Sequence, residues 1–138
     1  MTESVLVPFD GSDQSESALD HALRKFPDGS VTALFVVDLG GINYGGVAPP
    51  EAVLSDLDER AGETVRDAVE IAAGHDREID TETRRGQPAR EIVGYADEGG
   101  FDHIVIGSHG RDGVSRILLG SVAELVVRRA SVPVTVVR

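Results

Sequence analysis

The sequence predicts an α/β fold: a single doubly wound domain (Rossmann-like or flavodoxin-like) with a five-stranded, mainly parallel sheet and helices on both faces. Three observations carry this. Short apolar runs rich in valine and isoleucine alternate with longer stretches whose apolar residues recur at helical spacing. The order is β-α-β-α-β-α-β-α-β, and strands separated by helices pair in parallel, because parallel neighbours need crossover connections. The 138 residues suffice for one such domain, spanning 1–138, and leave little room for a second.

The elements follow in order. Val5 to Pro8 is a short buried strand, ending at Pro8-Phe9-Asp10-Gly11-Ser12. Ser12 or Asp13 can cap the next helix, and Glu16 stands three residues after Asp13, as in a capping box. Ala18, Leu19, Ala22, Leu23 and Phe26 form its stripe, and Pro27-Asp28-Gly29 is a turn. Val31 to Val37 is a second buried strand. Asp38 to Pro50, with four glycines and two prolines, is expected to be irregular. Glu51 to Ala73 reads as a long helix with Gly74 at C′.

Ile79 to Arg85 reads as a polar edge strand. Pro88 opens a short helix carrying Ala89, Ile92, Val93 and Ala96, which ends near Gly99-Gly100. His103 to Ile106 is another buried strand. Ser115 to Arg129 reads as a helix through Leu118, Leu119, Val122, Leu125 and Val126, and Pro133 introduces a last strand, Val134 to Val137.

Composition narrows the function. There is no cysteine, which excludes disulfides and thiolate metal sites. The acidic start, Met1-Thr2-Glu3-Ser4, lacks the basic and longer apolar segments of a signal peptide, and no apolar run reaches the roughly 20 residues of a membrane span. A cytoplasmic protein is expected. Thirteen Lys and Arg face 24 Asp and Glu, for a formal charge of −11, and Lys25 is the only lysine. Such a chain has no electrostatic drive towards nucleic acid or anionic lipid. The same balance suggests adaptation to high salt, where carboxylate repulsion is screened.

In doubly wound sheets ligands bind beyond the carboxyl ends of the strands, at the point where strand order reverses. The loops after strands one, two and four are therefore the ones to inspect. The last is informative: Gly107-Ser108-His109-Gly110, then nine residues, then Gly120-Ser121-Val122. Gly107 and Gly110 permit positive φ and close approach of backbone N–H groups to an anion. A glycine-serine pair within a helix is unfavourable. The helix could instead begin near Gly120, presenting its N–H groups and the Ser121 hydroxyl to a phosphate. No Walker spacing and no GxGxxG after strand one is present. His21, His75 and His103 show no metal spacing and read as structural or surface residues, and Asp38 as a loop-starting aspartate.

The glycine-serine pattern is similar to the nucleotide-binding signature of the universal stress protein family. Asp10 after strand one, the Asp10-Gly11-Ser12 turn, Ser121-Val122-Ala123-Glu124 and the final Val132-Pro133-Val134 agree with it. The resemblance covers essentially the whole chain. It implies ATP as ligand, with Mg²⁺ arriving on the phosphates. Asp10 would hold the ribose hydroxyls with Pro8 and Phe9 beside the adenosine, and Val36 would offer backbone groups to the adenine. Gly107, His109 and Gly110 would line ribose and phosphates, and Gly120, Ser121 and Val122 would bind the phosphate tail. Arg111 either meets the outer phosphates or stays solvated, and His109 is either a ligand contact or an exposed loop residue.

The resemblance also implies a homodimer through the C-terminal strand, residues 133–138, which would cover an otherwise open sheet edge. Val134 and Val136 point to one face, Thr135 and Val137 to the other. The expected function is nucleotide-dependent sensing in a stress response. A slow ATPase using His109 or Asp112, and a dimeric scaffold with an empty or differently occupied site, are the alternatives. Flavin binding is disfavoured by a loop chemistry suited to phosphates and by the absence of tryptophan.

Overall fold

The computed structural model describes residues 2–41, 48–108 and 119–138. The elements are β1 (Ser4–Pro8), α1 (Asp13–Lys25), β2 (Ser30–Val37), a 3₁₀ turn (Leu39–Gly41), α2 (Glu51–Gly74), β3 (Asp80–Arg85), α3 (Pro88–Glu98), β4 (His103–Gly107), α4 (Ser121–Arg129) and β5 (Val134–Val137). The five strands form one sheet in the order β3-β2-β1-β4-β5, with every pairing parallel. Strand order reverses between β1 and β4. The predicted α/β class and five-stranded sheet are as found, and the polar β3 lies at one edge with β5 at the other.

Side-chain alternation along the strands divides the core into two layers. Val5, Val7, Val31, Ala33 and Val105 face α1 and α2, which supply Ala18, Leu19, Ala22, Leu23, Ala68 and Ala72. Leu6, Leu34, Ile104 and Ile106 face α3 and α4, which supply Ala89, Ile92, Ala96, Ala123 and Val126. Both faces of the central strands are thus dry, which is why these strands read as continuous apolar runs. On β5, Val134 and Val136 pack towards α3 and α4, whereas Val137 packs on the opposite face.

Three element ends differ from the sequence expectation, each for a local reason. The cap of α1 is Ser12, whose Oγ accepts from the Ser15 amide at 3.2 Å, while the Ser15 hydroxyl donates to the Ser12 carbonyl at 2.9 Å. The reciprocal partner is therefore Ser15 and not Glu16, because the helix starts one residue earlier than an Asp13 cap requires. Helix α4 begins at Ser121, not Ser115. Gly120 is extended (φ −70°, ψ 166°) as its cap, and the glycine disfavoured inside a helix sits just outside one. Residues 115–118 lie outside the described residues.

The third difference is the end of α2. Gly74 is its last helical residue, and Asp76 takes the left-handed conformation at φ 56°. The Arg77 amide bonds the Ala72 carbonyl and the Asp76 amide the Ala73 carbonyl, both at 2.9 Å. These are the two bonds of a Schellman termination, with aspartate where glycine is usual. This stop aims Arg77 at the end of α1. Its guanidinium donates to the carbonyls of Leu23 (2.8 Å), Phe26 (3.2 Å) and Gly29 (2.8 Å), closing the α1–β2 turn. His75 reaches Asp20 of α1 at 2.8 Å beside it. Across the sheet, His103 Nε2 lies 2.7 Å from Thr135 Oγ1 and its ring packs 5.2 Å from Phe26, so this histidine is structural, tying β4 to β5.

Two stability outcomes are expected. Asp76→Gly relieves a left-handed non-glycine residue and raises stability by about 0.5–1 kcal/mol, read as a higher urea midpoint with unchanged slope. Arg77→Ala strips a charged donor from three carbonyls and lowers stability by about 2 kcal/mol in the same measurement.

Candidate functional site

The carboxyl edge of the sheet brings together the ends of β1, β2 and β4 and the start of α4. At β1, pairing with β2 continues one residue past Pro8, through a 2.8 Å bond from the Phe9 amide to the Leu34 carbonyl. The chain then turns. Gly11 adopts φ 82°, and Asp10 Oδ1 accepts from the Ser12 amide at 2.9 Å. This turn, required by the left-handed glycine, holds the half-buried Asp10 carboxylate at the edge of the sheet. Pro8, by alternation with Leu6, lies on the α3–α4 face. Phe9 lies on the other: it is 2% exposed and packs in the α1–α2 layer. Its side chain is committed to the core, so a ligand contact by Phe9 falls to its backbone.

Val36 lies two residues beyond the last β1–β2 register pair, Pro8 with Leu34. In a parallel strand the N–H and C=O of one residue point to the same side, and this direction alternates along the chain. Leu34 C=O serves the β1 side, and Val37 C=O accepts from Gly86 on the β3 side at 2.9 Å. The amide and carbonyl of Val36 therefore point to the β1 side, past the point where β1 has turned away. The Val36 side chain packs on the α3–α4 layer.

Gly107 ends β4. Its role differs from the positive-φ freedom expected of it. A Cβ here would lie 2.8 Å from the Gln14 carbonyl carbon and oxygen, so Gly107 is small because α1 crosses it closely. Ser108, which sequence reasoning passed over as a ligand or core residue, is the organising position. It is 1% exposed. Its amide donates to the Val137 carbonyl at 2.8 Å, and its carbonyl accepts from the Gly120 amide. The end of β5 and the cap of α4 are thereby fastened to one residue. The only sequence signal was a small polar residue directly after an apolar strand, which does not distinguish buried from exposed serine.

The start of α4 is chemically distinct from the starts of α1 and α3. Ser12 caps α1, and Gln87 Oε1 caps α3 by accepting from the Arg90 amide at 2.7 Å. Gly120 supplies no side-chain acceptor, and its carbonyl takes the Glu124 amide at 2.9 Å. The first-turn amides of Ser121, Val122 and Ala123 precede any intrahelical bond and carry the positive end of the helix dipole. Ser121 is exposed, with its hydroxyl on the first turn, while the Val122 side chain packs into the α3–α4 layer. Val122 thus offers its amide. A helix start of this kind presents unbonded amides of the type that can meet an anion, and this one is backed by Ser108 at the carboxyl edge of the sheet.

His109, Gly110 and Arg111 lie outside the described residues. Asp38 Oδ1 accepts from the Gly40 amide at 2.9 Å, a turn role matching its plainer reading. Among the described residues no three His, Cys, Asp or Glu are grouped to hold a metal ion, and no helix is long and apolar enough to cross a membrane. A cavity of about 350 Å³ is lined by Phe9, Gly11, Glu16, Asp67, Glu70 and Ile71. It belongs to the α1–α2 side, and its three carboxylates have the wrong sign for a phosphate.

Comparison with known proteins agrees with this architecture. The universal stress protein family pattern matches residues 1–138. Universal stress protein MJ0531 of Methanocaldococcus jannaschii is 37% identical over 139 residues, covering 99% of this chain and 82% of the relative. The solved structure of MJ0577, a universal stress protein of the same organism, superposes with a TM-score of 0.85 at 31% identity, covering 99% of this chain and 96% of the other. A universal stress protein solved in complex with cAMP superposes at 0.73 with 27% identity, covering 99% and 97%. The chain belongs to the universal stress protein family.

Proposed function

We propose that residues 1–138 form one nucleotide-binding domain that takes ATP at the carboxyl edge of the sheet and acts as a homodimeric, nucleotide-dependent sensor in the cytoplasm. The observation that carries this reading is the start of α4: a first turn that opens on exposed Ser121 behind a glycine cap, fastened through Ser108 to the end of β4. A phosphate chain supplies the acceptors that this turn lacks. The relative solved with cAMP supports a nucleotide in this fold.

The roles follow from position. The Val36 amide and carbonyl present a donor and an acceptor to the adenine edge. Pro8 and the Phe9 backbone flank the adenosine, and the Asp10 carboxylate, held by its turn, accepts from ribose hydroxyls. Gly107 lets β4 end against α1. Ser121 and Val122 meet the phosphates through their amides and the Ser121 hydroxyl, and Gly120, whose amide is held by the Ser108 carbonyl, lines the phosphate tail with no side chain in the way. His109, Gly110 and Arg111 complete the phosphate side by virtue of sequence position. Mg²⁺ enters on the phosphates, which need few protein ligands. For the homodimer, β5 pairs with β4 on one side and has half-buried residues throughout, leaving its other edge to a second copy across residues 133–138.

Calorimetric titration of Mg-ATP in molar KCl tests the site. Saturable binding is expected for the wild type, with at least a tenfold loss in a Gly110→Ala, Ser121→Ala variant that retains its fold, since a methyl is added where the glycine leaves room for the ligand and the Ser121 hydroxyl is removed. Absence of binding to the wild type refutes the nucleotide reading and leaves a scaffold. Phosphate release above that variant's background would identify turnover instead of sensing. A different outcome is expected of Gly107→Ala. Its new methyl meets the α1 backbone, so it loses about 1–3 kcal/mol of stability in a urea melt, separating packing from ligand contact.

A further inference from the structure

We infer that nucleotide occupancy of this site rises with ionic strength, the reverse of ordinary polyanion binding, so that the site responds to salt as well as to nucleotide. The inference rests on the nucleotide reading above. It begins from a conflict of sign. The proposed ligand is a polyanion, and the chain carries 24 carboxylates against 13 basic residues.

The described carboxylates include several near the carboxyl edge: Asp10, Asp13 and Glu16 after β1 and Asp38 after β2, while Glu124 on the first turn of α4 is paired with Arg128 at 2.9 Å. Many of the basic side chains are engaged elsewhere. Arg77 serves three carbonyls, Arg85 binds Asp58 of α2, and Arg24 and Arg60 pair with Asp20 and Asp56. Residues 109–118 contribute Arg111, Asp112 and Arg116, one net positive charge that the total of −11 already includes.

Attraction and repulsion have different ranges. The α4 amides act within the first helical turn and bring no net charge. Repulsion from −11 acts across the molecule. Salt removes the longer-ranged effect first, because the screening length falls from about 10 Å at 0.1 M to about 3 Å at 1 M. With the net charge placed roughly 20 Å from the phosphates in a water-like dielectric, screening tightens binding between these salts by about threefold for AMP and about eightfold for ATP. Contacts from lysine and arginine weaken over the same range, and the proposed site has one of them, Arg111, set against a net charge of −11.

The experiment is calorimetry of AMP, ADP and ATP with the full chain in EDTA, at 0.1, 0.3 and 1 M KCl, with circular dichroism at each salt. The expected result is a Kd that falls with salt, most for ATP and least for AMP. A quadruple variant on the exposed face of α2 (Glu59→Gln, Glu63→Gln, Asp67→Asn, Glu70→Gln) leaves every proposed contact intact. It is expected to lower the ATP Kd about twofold at 0.1 M and to leave it unchanged at 1 M. A Kd that rises with salt overturns the inference while preserving the nucleotide site. Equal changes for AMP and ATP also overturn it, since salt would then be acting on folding. Folded protein that binds none of the three at any salt overturns the nucleotide reading, and this inference with it.

Discussion

The backbone of Ser108 is the constraint on which the carboxyl edge depends. Its amide holds the end of β5 and its carbonyl holds the cap of α4. Because the residue is fully buried, neither bond competes with water, and loss of either would strand a polar group in the core. The position of the α4 start relative to the sheet is therefore set by main-chain geometry. Gly107, one residue earlier, fixes the other coordinate: it lets α1 approach β4 so closely that no side chain fits between them. Two adjacent residues thus locate both helix starts that border the site.

The topology sets this edge apart among the described residues. Strand β1 is central, with β2 on one side and β4 on the other, and its chain turns away after Phe9 towards α1. Helix α4, the element after β4, packs on the opposite face from α1. A gap between two neighbouring strands whose connections diverge is where a flat ligand can reach backbone groups. Val36 is the clearest case. Its polar groups are turned towards a neighbour that has already ended, which is the basis for the proposed adenine contact there.

Much of this was legible in the sequence because it depends on periodicity and punctuation. Valine-rich strands buried on both faces have no polar side to confuse the pattern, and Pro88, Gly120 and Ser121 mark helix starts by known chemistry. The illegible parts involve partners distant in sequence. That Gly107 is small because of Gln14, that Arg77 closes the end of α1, and that Ser108 is buried all require the packed chain. The mistaken end of α2 is instructive in another way. Gly74 looked like the left-handed position, yet Asp76 takes it, because aspartate tolerates that conformation well enough to hide behind a nearby glycine. Of the two helix starts the sequence offered, the one near Gly120 is found; apolar spacing through Leu118 and Leu119 suggested Ser115, whereas Leu119 packs on the core from outside the helix.

The remaining question is how so acidic a chain can hold a phosphate at all. Lysine-rich sites solve the problem with net charge, and their affinity is then hostage to salt. Here Arg111 is the one proposed contact with a fixed charge, and the other donors are backbone amides at a helix start together with one exposed hydroxyl. These others are dipoles, rigidly placed, and they add nothing to the protein's charge. Such a site gives up long-range attraction and keeps short-range complementarity. In dilute buffer the surrounding carboxylates oppose it. In concentrated salt their field is screened while amides within hydrogen-bonding distance of the ligand still act at full strength. A surface of 24 carboxylates and the proposed phosphate-binding helix start are therefore compatible, provided recognition is done mainly by backbone geometry.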